Sequence, residues 1–448
     1  MPLIVKGLAR GVRHIATVVP SRSLLQQTRC ISSSHLLYQS SDMFKSFQRG
    51  PVDPMFILKK KADEDVSPEK ADLGVGIYRN EAGLYSELDS VKQAKLALAQ
   101  NDPGHDYELT TGNAQFLEKA AALLFGKDCQ KLKSGQIASV QTISGTGANH
   151  IAALALSQCV SPRPQVFVGV PAWGNYKPMF ELVGMQVTEY SYYDSKNRTV
   201  DFSSIIQAAR TAPPRSVFIL QGCCHNPTGA DPTKAQWNEL ASVLEENRHF
   251  IFLDIAYQGL GDGMDEDAYA VRLFAKSKVD MFVCQSFSKN FALYGERCGV
   301  LHAVCADAKT ASDVHDRLRC LIRWEFSSSP AYGSRLVDIV LGSDQRTEAW
   351  ETELYDMRQR LKGLRKQLHS YLTQDLKTPG NWEHILKETG LFSYLELTPT
   401  QCKTLVDRHH IYLPSSGRIN ISGLNNDNIE RVAKAIDRVV SGDVKANL

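Results

Sequence analysis

Ser286-Phe-Ser-Lys289-Asn-Phe-Ala-Leu-Tyr-Gly-Glu-Arg297 is the stretch that decides how the fold and chemistry of this chain are interpreted. It follows an apolar run at 279–284 and sets Lys289 among small and hydroxyl-bearing residues. Burial and a nearby cation such as Arg297 both favour an unprotonated amine, and only that form attacks a carbonyl carbon to give a Schiff base. A lone Ser-x-Lys is more often a surface turn, so the interpretation depends on the rest of the chain.

The length and composition of the chain are those of a soluble globular protein with a large core. It has 448 residues, of which 43% are hydrophobic and 22% are charged, and its net charge is +2. Roughly 400 residues beyond a leader predict one large and one smaller domain. The charge balance gives no reason to expect nucleic acid as a partner. No apolar run reaches the roughly 18 residues that span a bilayer, so we expect no membrane partner.

The ten cysteines are scattered, without a Cys-x-x-Cys pair and without the usual spacing of Cys and His ligands. Cys223 and Cys224 are neighbours beside an apolar run, where buried thiols are more typical than a disulfide. The pattern therefore predicts a reducing compartment and no metal.

The first 41 residues differ in composition from the rest of the chain. They carry several arginines and serines, and no Asp or Glu precedes Asp42. This composition is typical of a mitochondrial transit peptide. The stretch Arg29-Cys-Ile-Ser-Ser-Ser34 resembles the two-step matrix processing pattern, which predicts residues 1–38 as the transit peptide and the mitochondrial matrix as the destination. The alternative is a disordered basic tail without a targeting role.

Short apolar runs alternate with amphipathic stretches from residue 86 onward, which predicts an α/β fold. Continuous apolar runs suit a mainly parallel sheet that is covered by helices on both faces. Helical spacing follows at 148–160 and 231–247, and we expect the segment 144–147 to form a turn. The predicted strands are 136–143, 164–170, 216–221, 250–254 and 281–284.

The pattern changes after residue 345. Apolar residues at helical spacing predict a long helix over 347–372, and short strands near 390–397 and 419–422 precede a terminal helix from about Asn426. We expect a smaller α+β domain that is joined to the large one through the long helix. The predicted boundaries are 39–85 for an N-terminal arm with part of the small domain, 86–345 for the large domain, and 346–448 for the linking helix and small domain.

Polar motifs fall at the ends of the predicted strands, where doubly wound sheets bind their ligands. Ser144-Gly-Thr-Gly147 offers small residues and a helix N-terminus to a phosphate, although many such turns only reverse the chain. Asp254 ends a buried run, where a carboxylate needs a cationic partner such as a protonated pyridine nitrogen. His225-Asn-Pro-Thr-Gly229 by itself is ordinary turn chemistry.

In combination and in this order, the motifs resemble the class I aminotransferases of the fold-type I pyridoxal-phosphate enzymes, and within them the subgroup of the aspartate aminotransferases. The resemblance covers the chain from about Pro51 to its C-terminus. It implies a large domain of mainly parallel sheet flanked by helices. The motifs that carry it are Leu73-Gly-Val-Gly-Ile-Tyr-Arg79, Ser144-Gly-Thr146, Pro171-Ala-Trp173, His225-Asn-Pro-Thr-Gly229, Asp254-Ile-Ala-Tyr257, Ser286-Phe-Ser-Lys289 and Ser416-Gly-Arg418.

The resemblance implies pyridoxal 5'-phosphate as the cofactor and a homodimer with shared active sites. Lys289 would bind the cofactor covalently and act as the catalytic base, and Asp254 would keep the pyridine nitrogen protonated. Tyr257 and Asn226 would hydrogen-bond the phenolic oxygen, and Trp173 would stack on the ring. The phosphate would be bound by Ser144, Gly145, Thr146, Ser286, Arg297 and Tyr107 of the partner subunit.

The resemblance also implies how a substrate would bind. Arg418 would take the α-carboxylate as a bidentate pair, beside Gly76, Trp173 and Asn226. Arg323 of the partner subunit would take the distal carboxylate of a dicarboxylic substrate. A surface ion pair is the usual alternative for either arginine. The implied reaction is a ping-pong transfer of the amino group from L-aspartate to 2-oxoglutarate.

Three positions depart from the family pattern. Tyr176 and Gln221 stand where the aspartate enzymes commonly carry histidines, and Ser328 replaces a residue expected beside the substrate. Since the substrate preference of a divergent paralogue can drift, an aromatic amino acid as donor is the leading alternative. A catalytically weak scaffold protein is a distant alternative, and the presence of both Lys289 and Arg418 speaks against it.

Overall fold

A mixed β-sheet lies at the centre of the unit formed by residues 53–446, as seen in the computed structural model, which describes residues 43–446. The described residues 43–52 belong to a separate unit and include a 3-10 turn at Met43–Ser46. The predicted transit peptide, residues 1–38, lies outside the described residues.

The strands are β1 (Ala71–Asp72), β2 (Ile137–Ile143), β3 (Val166–Val170), β4 (Val187–Ser191), β5 (Tyr193–Asp194), β6 (Thr199–Val200), β7 (Val217–Gln221), β8 (Phe250–Ile255), β9 (Met281–Ser286), β10 (Cys298–Val304), β11 (Phe392–Tyr394), β12 (Ile411–Tyr412) and β13 (Arg418–Asn420).

The α-helices are α1 (Pro54–Glu64), α2 (Asp89–Asn101), α3 (Ala114–Phe125), α4 (Gln130–Lys133), α5 (Ser144–Cys159), α6 (Tyr176–Leu182), α7 (Phe202–Thr211), α8 (Lys234–Glu246), α9 (Met264–Asp267), α10 (Tyr269–Ala275), α11 (Ala308–Glu325), α12 (Ala331–Leu341), α13 (Asp344–Ser370), α14 (His384–Lys387), α15 (Pro399–His409) and α16 (Ile429–Ala446). A π-helical turn at Tyr371–Asp375 continues α13, and a 3-10 turn spans Ile421–Gly423.

The large sheet has seven strands in the order β2-β10-β9-β8-β7-β3-β4. Strand β10 is antiparallel to both of its neighbours, and the other neighbouring pairs are parallel. The α/β architecture with a mainly parallel sheet, predicted from the sequence, is confirmed. No described helix is both long and apolar enough to cross a membrane.

Both faces of the inner strands are covered, which explains why β7, β8 and β9 are almost entirely apolar. In β8, Ile251 and Leu253 belong to a core shared with α7, α8 and α10, whereas Phe252 belongs to the core shared with α5, α6 and α11. This division follows from the alternation of side chains along a strand. Because neither face meets water, polar groups concentrate at the strand ends.

Segments before and after the large sheet in the sequence form two small sheets outside it. Strand β1 pairs with β12, so that Ala71 lies opposite Ile411, and β11 pairs with β13. Helix α13 buries Trp350, Leu354 and Leu361 in the core that these segments share. The exact domain boundaries given above remain predictions.

The predicted strands 136–143, 164–170, 216–221, 250–254 and 281–284 are all present. Two strands of the large sheet were not predicted: β4 is partly polar and exposed, and Gly299 and His302 interrupt the apolar run of β10. The prediction of a turn at 144–147 is wrong, because α5 begins at Ser144 itself. Ser144 takes a left-handed φ of 60° and its N–H donates to Arg297 O at 2.9 Å, which lets the helix start without a separate turn. The glycines of the motif therefore form the first helical turn.

Candidate active site

A cavity lies where β7, β8 and β9 end, beside the N-terminus of α5, and it encloses about 500 Å³ including its open mouth. Ligand sites of α/β sheets are expected at this edge. The structure brings ten of the predicted residues to its wall: Ser144, Gly145, Thr146, Trp173, Asn226, Asp254, Tyr257, Ser286, Lys289 and Arg297.

Lys289 follows the last residues of β9 and reaches into this cavity. Its Nζ lies 5.1 Å from the centre of the Tyr257 ring. The pKa of the amine is lowered to about 8, mainly because protein encloses it; Asp254 opposes this shift and Arg297 contributes to it. The amine is thus unprotonated far more often at neutral pH than that of an exposed lysine.

Asp254 is the penultimate residue of β8, lines the cavity and is 9% exposed. Burial raises the pKa of its carboxyl group, and this effect is opposed by a hydrogen bond from Tyr176, by Lys289 and by Asn149. The Tyr176 hydroxyl donates to Asp254 Oδ2 at 2.7 Å. A buried carboxylate of this kind is suited to pairing with a cation on a ligand.

The end of the cavity at α5 is built from hydroxyl groups and backbone amides. Ser144 Oγ lies 3.3 Å from Ser286 Oγ and 2.9 Å from Ser288 Oγ. A Cβ on Gly145 would lie 3.0 Å from Ser286 Cβ, so the close approach of these two elements favours glycine. Since the first amides of a helix lack intrahelical partners, this end attracts anions, and Arg297 adds a positive charge.

Gln221 holds the backbone of Asn226 in place. Its Nε2 donates to Asn226 O, and its Oε1 accepts from Asn226 N, each at 2.9 Å. The Asn226 side chain accepts a hydrogen bond from Arg418 Nη1 at 3.1 Å. One amide side chain therefore fixes a residue that links the cavity to the C-terminal part of the chain.

Arg418, at the start of β13, lies next to the cavity. Its guanidinium group also donates to Gly74 O and stacks at 4.3 Å over the Phe392 ring. Its Nε is shielded from solvent without a hydrogen-bond partner among the described residues. The same ring lies against Gly76, where a Cβ would approach Phe392 Cζ to 2.8 Å, so glycine is required there by close packing.

Of the four predicted residues that do not line the cavity, Gly76 and Arg418 stand beside it, whereas Tyr107 and Arg323 lie at the surface of the chain. Tyr107 is 88% exposed and lines a separate cleft with Ser328 and Tyr332. Arg323, at the C-terminal end of α11, is exposed and donates to Ser327 Oγ.

Four residues at the cavity wall were not predicted as site residues from the sequence, namely Asn149, Gln221, Ala256 and Ser288. Ser288 could have been predicted from the sequence, because it stands inside the Ser286–Lys289 motif. Gln221 was noted only as a departure from the family pattern. Asn149 gave no signal, because it lies on the second turn of α5 and faces Asp254 only through the fold.

The sequence profile of aminotransferase class I and II matches residues 68–436. The chain is 43% identical to the aminotransferase tasG of Hapsidospora irregularis over 90% of this chain and 98% of that protein. It is 40% identical to the mitochondrial aspartate aminotransferase of Schizosaccharomyces pombe, over 88% and 90% of the two chains. A solved aromatic-amino-acid aminotransferase of Burkholderia pseudomallei, covalently bound to pyridoxal phosphate, matches with a TM-score of 0.86 and 35% identity, covering 89% of this chain and 99% of that one.

Proposed function

This chain belongs to the class I and II aminotransferases, and we propose that it uses pyridoxal 5'-phosphate to transfer the amino group of L-aspartate to 2-oxoglutarate, giving oxaloacetate and L-glutamate. The observation that carries this proposal is the pairing of two groups in one cavity. The Lys289 amine, with its pKa lowered to about 8, faces the same space as the buried Asp254 carboxylate.

The residues at the cavity fit this cofactor at each of its functional groups. The α5 N-terminus, the Ser144 and Ser286 hydroxyls and Arg297 suit a doubly charged phosphate. Asp254 suits the protonated ring nitrogen, and Lys289 suits the aldehyde.

The bound cofactor would supply an electron sink for the charge left after a proton leaves the substrate carbon. Lys289 would accept that proton and return one to the product carbon. Arg418 would hold the α-carboxylate, and its hydrogen bond to Asn226 at 3.1 Å would keep the guanidinium group oriented. Trp173, half-buried at the cavity wall, would limit the movement of the ring.

The preference for a dicarboxylic donor rests on a second cation. Arg323 is exposed and stands near Ser328 in the chain. The similarity of this chain to aspartate aminotransferases supports a dicarboxylic substrate, whose second carboxylate would pair with Arg323. Pairing a carboxylate with a desolvated guanidinium group discriminates strongly against an uncharged side chain. We therefore assign the distal carboxylate of aspartate and 2-oxoglutarate to Arg323 of the partner subunit.

A homodimer is part of the proposal, because Tyr107 and Arg323, two residues implied in the site, do not line the cavity of their own chain. Large apolar side chains that include Tyr107, Leu109 and Trp324 are 88%, 69% and 66% exposed. Exposed aromatic groups of this kind are typical of interfaces between subunits. The partner subunit would contribute Tyr107 to the phosphate and Arg323 to the substrate.

A mixing experiment tests the shared site. Lys289→Ala and Arg323→Ala are each expected to be nearly inactive with aspartate. When equal amounts are unfolded and refolded together, half of the dimers are hybrids with one intact site, so about one quarter of wild-type activity returns. If Arg323 acted within its own chain, the mixture would stay as inactive as its parts.

A screen of amino acids against the cofactor-loaded protein, read as the change in cofactor absorbance, tests the donor. Aspartate and glutamate are expected to give the fastest half-reactions. No spectral change with any amino acid would contradict an aminotransferase and favour a scaffold protein.

An aromatic donor is the second candidate, favoured by Ser328 and by the structural likeness to an aromatic-amino-acid aminotransferase. Arg323→Ala separates the two, because it should reduce turnover of aspartate far more than turnover of phenylalanine. Equal losses would refute the role of Arg323. Wild-type turnover that is faster with phenylalanine than with aspartate would establish the second candidate.

We also propose the mitochondrial matrix as the location. The basic and acid-poor composition of residues 1–41 and the mitochondrial relative in fission yeast support it. A fluorescent protein fused to residues 1–41 should enter mitochondria and be shortened near residue 38. A fusion that stays in the cytosol at full length would contradict the proposal.

A further inference from the structure

Tyr176 is a fully enclosed residue behind the wall of the candidate active site. It begins α6, is 2% exposed, and donates its hydroxyl to Asp254 Oδ2 at 2.7 Å. Its ring also meets the edge of Trp173, with the ring centres 5.2 Å apart at 86°. One side chain thus contacts both the carboxylate proposed for the ring nitrogen and the indole proposed for the ring face.

In the hydrogen bond between Tyr176 and Asp254, Tyr176 is always the donor. Burial and the neighbouring Asp254 raise the pKa of Tyr176 well above its ordinary value, so the phenol is neutral and always donates. Its donation lowers the pKa of Asp254, whereas burial raises it. A neutral donor occupies one oxygen of the carboxylate without adding a competing charge.

The other groups around this pair do not titrate near neutral pH, apart from Lys289. Burial raises the pKa of Cys284 on β9 and of Tyr257 after β8. His225, behind Tyr176 in the loop after β7, has its pKa lowered to about 3 by burial and is therefore neutral. Asn149 on α5 and Gln221 carry no charge.

We infer that Tyr176 is a positioning residue for the cofactor: its hydroxyl fixes and keeps ionised the Asp254 carboxylate, whose other oxygen is left for the ring nitrogen. This inference rests on the cofactor assignment of the proposed function. It gives a specific role to a position that the sequence marked only as a departure from the family.

Tyr176→Phe tests the inference, because it removes the hydroxyl and keeps the ring. Apoprotein would be titrated with pyridoxal 5'-phosphate between pH 5.5 and 8.5, with absorbance as the readout. The dissociation constant is expected to rise about tenfold at neutral pH, as for loss of a hydrogen bond to a charged group. It should rise further toward pH 5.5, because removal of a donor raises the pKa of the carboxyl group and favours its neutral form.

Tyr190→Phe is the matched control. Tyr190 lies on β4, its hydroxyl is buried without a hydrogen-bond partner among the described residues, and it lines the same small space behind Tyr176. Its removal should leave the dissociation constant and its pH profile as in the wild type. The melting temperature of each apoprotein shows that both variants are folded.

A double variant tells a positioning role from a purely structural one. In an Asp254→Asn background, Tyr176→Phe should change cofactor affinity less than about twofold, because the charge on which it acts is gone. Additive effects, or a Tyr176→Phe dissociation constant equal to the wild-type value at every pH, would overturn the inference. A wild-type protein that binds no cofactor would instead contradict the proposed function.

Discussion

Arg365 and Arg418 are two arginines of the C-terminal part of the chain, the first buried and the second half-buried, and they differ in their partners. Arg365, 3% exposed, forms an ion pair with Glu388 at 3.3 Å and donates to the carbonyl groups of Gly390 and Phe392. No carboxylate among the described residues forms an ion pair with Arg418, whose Nε has no partner among them. The first arginine is satisfied by its own chain, and the second is available to a ligand.

Two buried aspartates show the same contrast. Asp267 accepts hydrogen bonds from the backbone amides of Gly259, Gly261 and Asp262, at 2.8 to 2.9 Å. Asp254 accepts its short hydrogen bond from the Tyr176 hydroxyl, at the cavity wall. The chain therefore stabilises charges that serve the fold with internal partners, and it leaves charges at the cavity incompletely paired.

The largest expected effect on stability follows from Arg365→Met. This change leaves Glu388 buried and uncompensated, so the free energy of unfolding should fall by about 3–5 kcal/mol, measured by urea denaturation. The double variant Arg365→Met with Glu388→Gln is the control and should lose much less. A single variant as stable as the wild type would mean that this pair is not structural.

Asp254→Asn should reduce activity strongly and stability little, the reverse of what is expected for Arg365→Met. The amide keeps the shape of the side chain and removes its charge, so turnover should fall about a thousandfold, as for loss of a preorganised electrostatic group. The free energy of unfolding should stay within about 1 kcal/mol of the wild type, because Asp254 is not compensated by an internal ion pair. Full activity with a large loss of stability would reverse the assignment of Asp254.

Arg418→Met should affect substrate binding more than the fold. The value of kcat/KM for aspartate should fall about a hundredfold, mainly through a higher KM, because a bidentate carboxylate partner is lost. Urea denaturation should show little change, in contrast to Arg365→Met. If both variants lost stability equally, the distinction between the two arginines would fail.

The smallest expected effect is the pH dependence of covalent cofactor capture by Lys289. Since enclosure lowers the pKa of Lys289 from 10.5 to about 8, the fraction of reactive amine should rise about tenfold per pH unit below 8 and level off above it. The rate of covalent cofactor capture by the apoprotein, followed by stopped-flow absorbance, should show this midpoint. A midpoint near 10.5 would mean that Lys289 behaves as an exposed lysine.

The sequence was sufficient to predict the parts of the fold and site that depend on local pattern. Continuous apolar runs predicted β8 and β9 to within two residues, because a strand buried on both faces must be apolar throughout. Motifs at the strand ends identified Asp254 and Lys289 for the same reason, since polar residues there have no structural role in the core.

Features that depend on contacts between distant segments were not predictable. The hydrogen bond from Tyr176 to Asp254 joins residues 78 positions apart, and the pairing of Gln221 with the Asn226 backbone requires the geometry of a folded loop. A single sequence does not distinguish Arg365 from Arg418 by burial, because both stand beside apolar residues. Only the folded contacts show which charge is already paired.

The most direct test is to trap the link between the cofactor and the protein. The cofactor-loaded protein would be reduced with borohydride, digested and mapped by mass spectrometry, with Lys289→Ala as the control. We expect a pyridoxyl label on the peptide that contains Lys289, and none in the control. A label on another lysine, or no label at all, would contradict it.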